Sequence, residues 1–280
     1  MAIGTPIDRG TDSKNYSSAT LVSNTFTPAA NSLMLVWVLG NDSPTIPSGI
    51  TGHDGGTSWV QIGSTQSFSN IAGTLWGAHA GASPSSGVIE VTLPNTSITQ
   101  CNFCEITGVD VSGTVANSFE QTDAGVGSTS TMTRSLSGAT EVTVGFWGNT
   151  GSENFTMEGT AVNQLNHPSA GTEAGIDYDL TGDTTPTAES DNSTGYVSFA
   201  VELKVAILST LEQEGFQFRL DDGSESGATD EGAQDANMTS GKEVNRRIRF
   251  VIAASGDPDA QTFRLDYKRA DDSDDEFRAV

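Results

Sequence analysis

The histidines are candidate catalytic or metal-binding residues, because an imidazole side chain serves both acid–base and metal chemistry near neutral pH. The chain has three, His53, His79 and His167, and no two of them have a metal-ligand spacing such as H-x-x-x-H. A serine nucleophile would stand in a G-x-S-x-G turn, and the sequence has no such motif. His53-Asp54-Gly55-Gly56 is therefore interpreted as a turn, and the pattern predicts no catalytic residue.

Two cysteines, Cys101 and Cys104, form a C-x-x-C within an apolar segment that is typical of a strand. A zinc site would need a second pair or nearby histidines, and a redox pair would need a helix start. Residues three apart on a strand point to opposite faces, so we expect two buried thiols that do not face each other.

Carboxylates offer two further chemistries. A glycosidase needs two of them facing one cleft, and Glu173, Asp177 and Asp179 lie close in sequence, although a solvated acidic loop is the favoured interpretation. A structural calcium ion is an alternative at Asp221–Glu225 or Asp271–Glu276, whose spacing does not match an EF-hand loop. No cofactor and no metal ligand set is predicted.

The tryptophans bear on carbohydrate binding, because β-sandwiches commonly bind sugars through exposed aromatic rings. Trp37 and Trp76 lie inside apolar strands and are predicted to be core residues, whereas Trp59 and Trp147 adjoin glycine and polar turns and are left open. Aromatic residues make up only 7% of the chain, which disfavours a dedicated sugar-binding module.

The net charge of −23 is unevenly distributed. Residues 1–203 have three basic side chains (Arg9, Lys14, Arg134) and 19 acidic ones, whereas residues 204–280 have ten basic and 17 acidic. Such a surface repels phosphate backbones, so the larger part is predicted not to bind nucleic acid. No stretch is long and apolar enough to span a membrane, and the polar start after Met1 predicts synthesis in a cytoplasm without a secretory signal.

The elements that must position these residues are strands. Leu33–Leu39 is the longest apolar run, bounded on both sides by turn residues, which predicts a strand covered on both faces. About ten such short segments with Gly, Ser and Thr between them, and no long pattern of helical period, predict an all-β chain. We therefore expect an antiparallel jelly-roll-like β-sandwich over residues 1–205.

The charge balance changes near residue 206, and all four tryptophans lie before that point. Residues 206–280 are predicted to form a smaller Ig-like β-sandwich, with strands at 215–220, 246–253, 262–268 and 276–280. Arginine alternates with Phe, Ile or Leu in the first three, so one face packs and the other is charged.

This second part resembles a small β module that recurs at the ends of tailed-phage and prophage structural proteins. The resemblance rests on Leu211–Glu225, Arg247–Phe250 and Thr262–Tyr267. The earlier part resembles a sandwich domain that often precedes the module, at Phe26–Asn31, Leu33–Leu39, Trp59–Gln61 and Glu105–Asp110. Relatives usually have a tryptophan after the DDGSE turn, where this chain has Ala228-Thr229-Asp230-Glu231. The resemblance implies a virion component and carries over no catalytic residue.

We therefore expect a non-enzymatic virion structural protein, assembled in the host cytoplasm, and most specifically a head decoration protein that binds the major capsid protein as a homo-oligomer. The alternative is a tail or fibre protein that binds a receptor or a cell-surface glycan. The predicted docking face is the basic side of the second part: Arg246, Arg247, Arg249, Arg264, Lys268 and Arg269.

Overall fold

The computed structural model of the chain describes residues 2–14, 20–41, 47–53, 58–93, 98–150, 155–167, 172–191, 195–206, 210–220, 222, 227–236, 246–255, 266–267 and 278–279. The chain divides into two compact units, Met1–Ala206 (the first unit) and Ile207–Val280 (the second unit). Strands dominate both units, every named strand pair is antiparallel, and the described residues contain no α-helix. The prediction of an all-β sandwich protein is confirmed.

The first eight strands form one sandwich, the first roll. A five-stranded sheet has the order β1-β8-β3-β6-β5, and a three-stranded sheet has the order β2-β7-β4. Successive strands thus alternate between the two sheets, as in a jelly roll. The exception is β5, which pairs with β6 in the larger sheet. The bounds are β1 Ile7–Lys14, β2 Thr20–Val22, β3 Leu33–Asn41, β4 Gly49–Thr51, β5 Val60–Phe68, β6 Ile71–His79, β7 Glu90–Thr92 and β8 Ile98–Ile106.

The next eight strands repeat that order and form the second roll. Its five-stranded sheet is β9-β16-β11-β14-β13 and its three-stranded sheet is β10-β15-β12, so each strand takes the place of the one eight positions earlier. A short 3-10 helix, Val115–Ser118, precedes this roll. The bounds are β9 Phe119–Gly127, β10 Thr131–Thr133, β11 Thr143–Asn149, β12 Phe155–Met157, β13 Thr160–His167, β14 Thr172–Asp179, β15 Thr187–Ser190 and β16 Tyr196–Leu203.

The expected single sandwich of about ten strands is therefore a pair of eight-stranded sandwiches among the described residues of the first unit. The strands that the sequence did not indicate include β9, β10 and β13, which are short or mainly polar. Edge strands bury few side chains, so their sequences lack the apolar pattern from which a strand is predicted.

Matching positions in the two rolls are obtained when the first residues of β6 and β14 and the last residues of β8 and β16 are aligned. Trp37 lies between Leu75 and Asn102 in the first roll, as Phe146 lies between Ile176 and Phe199 in the second. The same registers match Leu39 with Gly148, Trp76 with Asp177 and Glu105 with Glu202.

The two large sheets pack face to face and bury the main core between the rolls. Trp37 is fully buried there, its ring centroid 5.6 Å from that of Phe199 and 6.2 Å from that of Phe146. Its Nε1–H donates to the Trp147 carbonyl at 3.0 Å. β3 is buried along its whole length because its other face packs on the small sheet of its own roll, which confirms the prediction for Leu33–Leu39.

The rolls meet along two seams, and the first strand of each roll lies beside the fifth strand of the other. β1 runs beside β13 at one seam, and β5 runs beside β9 at the other. The first strand of one roll thus meets the fifth strand of the other at both seams. This is the pattern of an isologous, two-fold symmetric interface, here formed within one chain.

The second unit has two described strand pairs. β17 (Thr210–Leu220) pairs with β18 (Arg246–Ser255), and β19 (Asp266–Tyr267) pairs with β20 (Arg278–Ala279). Main-chain hydrogen bonds from residues 229–235 follow the other edge of β17. Most of the predicted strand at 262–268 lies outside the described residues.

Candidate functional site

The described residues include a contact between a serine and a histidine, and its hydrogen bonds serve the fold rather than catalysis. His79 at the end of β6 has Nε2 2.8 Å from Ser118 Oγ in the 3-10 helix. The Ser118 hydroxyl donates its one proton to the Asp110 carbonyl at 2.7 Å, so His79 Nε2 must be the donor to Ser118. Both side chains are buried, and burial lowers the pKa of His79 despite the nearby Asp110. His79 Nε2 therefore cannot remove a proton from Ser118.

Asp110 belongs to the segment that links the rolls. Its carboxylate accepts hydrogen bonds from Ser112 and lies 3.3 Å from Lys204 Nζ. Partial burial opposes ionisation, but the bonds from Ser112 and the Lys204 ammonium lower the pKa of Asp110. The linking segment is thereby joined to the end of β16.

The cysteines lie on β8 with their side chains on opposite faces, as predicted. Cys101 packs in the core of the first roll, and Cys104 packs in the core between the rolls. Both are buried and neither is part of a disulfide, and burial raises the pKa of the Cys104 thiol. They are core residues, and the expectation of two thiols that do not face each other is confirmed.

Two buried carboxylates occupy the matching position of the eighth strand in each roll. Glu105 accepts from Arg9 Nε at 2.8 Å and from the Ala29 N–H at 2.6 Å. Glu202 accepts from Gln121 Nε2 at 2.6 Å and from the Thr140 N–H at 2.7 Å. Each carboxylate ties the first strand of its roll to the segment that leads into the third strand.

The interpretation of Glu173, Asp177 and Asp179 as a solvated loop is wrong, since all three lie on β14 and the first two are buried. Asp177 accepts from Trp147 Nε1 at 2.8 Å and from the Gly159 N–H at 3.1 Å. Burial raises the pKa of Asp177 to about 6, although these hydrogen bonds oppose the shift. Glu173 and Asp177 are four residues apart on a strand, roughly 13 Å, which is too far for a glycosidase pair.

None of the four tryptophans forms an exposed platform. Trp37, Trp59 and Trp147 are buried, and Trp76 is half-buried against the core of the first roll. Trp59 Nε1 donates to the Gly52 carbonyl at 3.0 Å. The two tryptophans that the sequence left open are therefore core residues, and the core prediction is confirmed for Trp37 and only in part for Trp76.

The structure describes the side chains of two of the predicted docking residues, Arg247 and Arg249. Arg247 and Arg249 are two residues apart on β18 and therefore lie on one face of the sheet. Arg249 is exposed, while Arg247 is half-buried opposite Arg219, which pairs with Asp230 at 2.8 Å. Arg264, Lys268 and Arg269 lie outside the described residues.

The calcium candidates also lie mostly outside the described residues: Asp271–Glu276 entirely, and Asp221–Glu225 except for Asp222. Asp222 Oδ1 accepts from the Thr229 N–H at 3.0 Å, and hydrogen bonds from the side chain and the main chain of Thr229 lower the pKa of Asp222. Among the described residues, no three His, Cys, Asp or Glu side chains are grouped so as to hold a metal ion.

The second unit has the apolar face that its sequence pattern predicts, but the described β18 residues of that face are exposed rather than packed. Ile248, Phe250 and Ile252 of β18 lie on one face with 43%, 39% and 39% of their surface exposed. Phe216 and Phe218 lie opposite them on β17, with ring centroids 5.7 Å apart.

The first unit has a groove at the seam between β5 and β9, with a volume of about 280 Å³. Ile62 and Phe119 form part of its wall and pack against the core between the rolls. Gly63 has φ +65°, and a Cβ there would approach the Phe199 ring to 3.1 Å, so glycine lets β5 pass over that ring. The lining residues are Val60, Gln61, Ile62, Gly63, Ala116, Phe119, Glu120, Gln121 and Thr122.

Comparisons of the chain with protein-family models, with curated proteins and with solved structures found no match. Among the described residues, no helix has the length and apolar character needed to cross a membrane.

Proposed function

We propose that the protein is a non-enzymatic structural component of a virus particle, most specifically a head decoration protein that attaches through its second unit. The observation that carries this proposal is the exposed apolar face of β18, formed by Ile248, Phe250 and Ile252, with the exposed Arg249 on the opposite face of the same sheet. Exposed apolar residues grouped on one strand are typical of an interaction surface.

The charge distribution supports the same assignment. The acidic majority of the first unit would be repelled from an acidic shell, whereas the arginines of β18 would be attracted to one. The buried candidates for chemistry, Ser118, Glu105 and Asp177, are engaged in hydrogen bonds to other parts of the first unit.

The first test is the copy number of the protein in density-gradient-purified particles, measured by quantitative mass spectrometry. A number comparable with that of the major capsid protein is expected for decoration. A few copies per particle would favour a tail or fibre position, and absence from particles would contradict the proposal.

The second test addresses attachment. Ile248→Ser with Phe250→Ser, and separately Arg247→Glu with Arg249→Glu, should lower the occupancy of the protein on particles. Val126→Ser is the matched control, because Val126 is a 38% exposed strand residue of the first unit. Full occupancy with both double variants would contradict attachment through β18.

A further inference from the structure

The groove between β5 and β9 is distinct from the surface proposed for attachment. We propose that it binds a neutral sugar residue of a glycan. The inference rests on a comparison of the two seams, on the chemistry of the lining and on the backbone irregularities at its edges, and it is independent of the proposed virion role.

The two seams are equivalent in topology but differ in how they are filled. At the seam of β1 and β13, Asn163 Nδ2 donates to Asp8 Oδ1 and to the Phe103 carbonyl, both at 3.0 Å. Asn163 also accepts from Asn102 Nδ2 at 2.8 Å, so buried polar side chains join the two sheets there. At the seam of β5 and β9 the matching space is an open groove.

The lining selects a class of ligand. Val60, Ile62, Ala116 and Phe119 give the groove apolar walls, and Gln61, Glu120 and Thr122 add polar groups. None of the residues that line the groove is basic, and the first unit is strongly acidic, which disfavours phosphates and other anions. A sugar ring has both an apolar face and hydroxyl groups, and it matches such a mixed wall.

The polar groups differ in their availability. Gln121 is fixed, since its amide donates to Glu202 at 2.6 Å and accepts from the Ser137 N–H at 2.8 Å. Gln61 donates to Thr65 Oγ1 at 3.2 Å, and its carbonyl oxygen accepts no hydrogen bond from the residues described. Gln61 and the exposed Thr122 and Glu120 are therefore the side chains that can bond to ligand hydroxyls.

An extended peptide is the competing ligand, because β5 and β9 are edge strands. Strand addition needs a regular edge, and both strands are irregular beside the groove. The pairing of β5 shifts between Ile62 and Gln66, and that of β9 shifts at Glu120, between Phe119 and Gln121. The volume of 280 Å³ lies just below the range of about 300–1,000 Å³ usual for drug-sized ligands, which suits one sugar ring.

The test is saturation-transfer NMR on the full chain, with glucose, galactose, mannose, fucose and N-acetylglucosamine as probes at millimolar concentration. Sialic and glucuronic acids serve as anionic probes. We expect signals from at least one neutral sugar and weaker signals from the acids. No signal from any neutral sugar, or stronger binding of the acids, would overturn the proposal.

Two pairs of variants locate the binding. Thr122→Trp should fill the groove and weaken binding by about tenfold or more, whereas Thr160→Trp, on the exposed edge strand at the other seam, should leave it unchanged. Gln61→Ala should weaken binding, with Gln66→Ala on the same strand as its control. Thermal melting verifies that each variant folds. Unchanged binding in both Thr122→Trp and Gln61→Ala would overturn the assignment of the site.

Discussion

At the sixth position of the sixth strand, the first roll has Trp76 and the second roll has Asp177. The residue paired with it on the third strand also differs between the rolls: Val36 lies beside Trp76, and Gly145 lies beside Asp177. A Cβ at Gly145 would lie 2.3 Å from Asp177 Oδ1 and 2.6 Å from Trp147 Nε1. Glycine at position 145 thus leaves room for the hydrogen bond from Trp147 Nε1 to Asp177 Oδ1. The same strand order therefore accommodates an apolar pair of side chains in the first roll and a polar contact in the second.

Other matching positions are complementary, because they touch each other across the interface. Leu39 and Gly148 occupy the same position in the two rolls, and a Cβ at Gly148 would lie 2.3 Å from Leu39 Cδ1. The side chain of one roll fills the space left by the other. At this contact between the two large sheets, a large side chain on one strand therefore packs against a glycine on the equivalent strand.

The largest expected effect is at the paired aromatic residues of the interface. Trp37→Ala and Phe146→Ala should each lower the free energy of unfolding by about 3–5 kcal/mol, because each leaves a large cavity in the core between the rolls. Urea unfolding measures both values. A loss below about 1 kcal/mol at either position would show that the two sheets are not held together there.

Replacing the two glutamates of the eighth strands should lower the free energy of unfolding by different amounts. Glu105→Gln should destabilise by about 3–5 kcal/mol, because it leaves the Arg9 guanidinium without its carboxylate. Glu202→Gln should cost about 1–3 kcal/mol, since its described side-chain partner is the neutral Gln121. Equal losses in urea unfolding, or a larger loss for Glu202→Gln, would contradict this ranking.

Asp177 should make the stability depend on pH in a way that Trp76 cannot. Its pKa is about 6 in the folded protein and about 3.9 unfolded, so the folded chain keeps a proton that the unfolded chain has lost. Stability from this group therefore falls as pH rises from about 4 to about 6, by up to about 3 kcal/mol. Asp177→Asn removes that dependence.

The measurement is the free energy of unfolding of Asp177→Asn relative to the unmodified protein at a series of pH values. The variant should gain relative stability through that interval and keep a constant difference above it. A constant difference throughout would contradict the raised pKa, and Asp179→Asn, on the same strand but partly exposed, serves as the control.

The smallest expected effect is at Leu39 and Gly148. Gly148→Leu should destabilise by about 1–3 kcal/mol through overpacking, and Leu39→Gly by leaving a cavity. In the double variant the side chain and the space change places, so part of each loss should be recovered. A double-mutant cycle with no coupling would show that these positions do not share one volume.

Several elements could be predicted from local pattern. The run Leu33–Leu39 forms a fully buried strand, as its apolar sequence predicts. Cys101 and Cys104 are three residues apart on a strand, and this separation alone predicts that the two thiols lie on opposite faces. A strand has a period of two residues, so the sequence of one segment suffices for such statements.

The duplication of the rolls could not be predicted in that way. The matching positions are 109 residues apart on β3 and β11, 101 apart on β6 and β14, and 97 apart on β8 and β16. No single offset aligns the two halves, because the intervening loops differ in length. The side chains have also diverged, as at Trp76 and Asp177.

The candidate sites show the same division. The sequence by itself determined the all-β class, the acidic charge and the alternating pattern of β18, because composition and period are properties of short segments. Only the tertiary structure decided that Arg9 meets Glu105, 96 residues away, that Asp177 is buried beside Trp147, and that one seam is open. These features depend on which strands become neighbours, and that is determined by the packing of the whole chain.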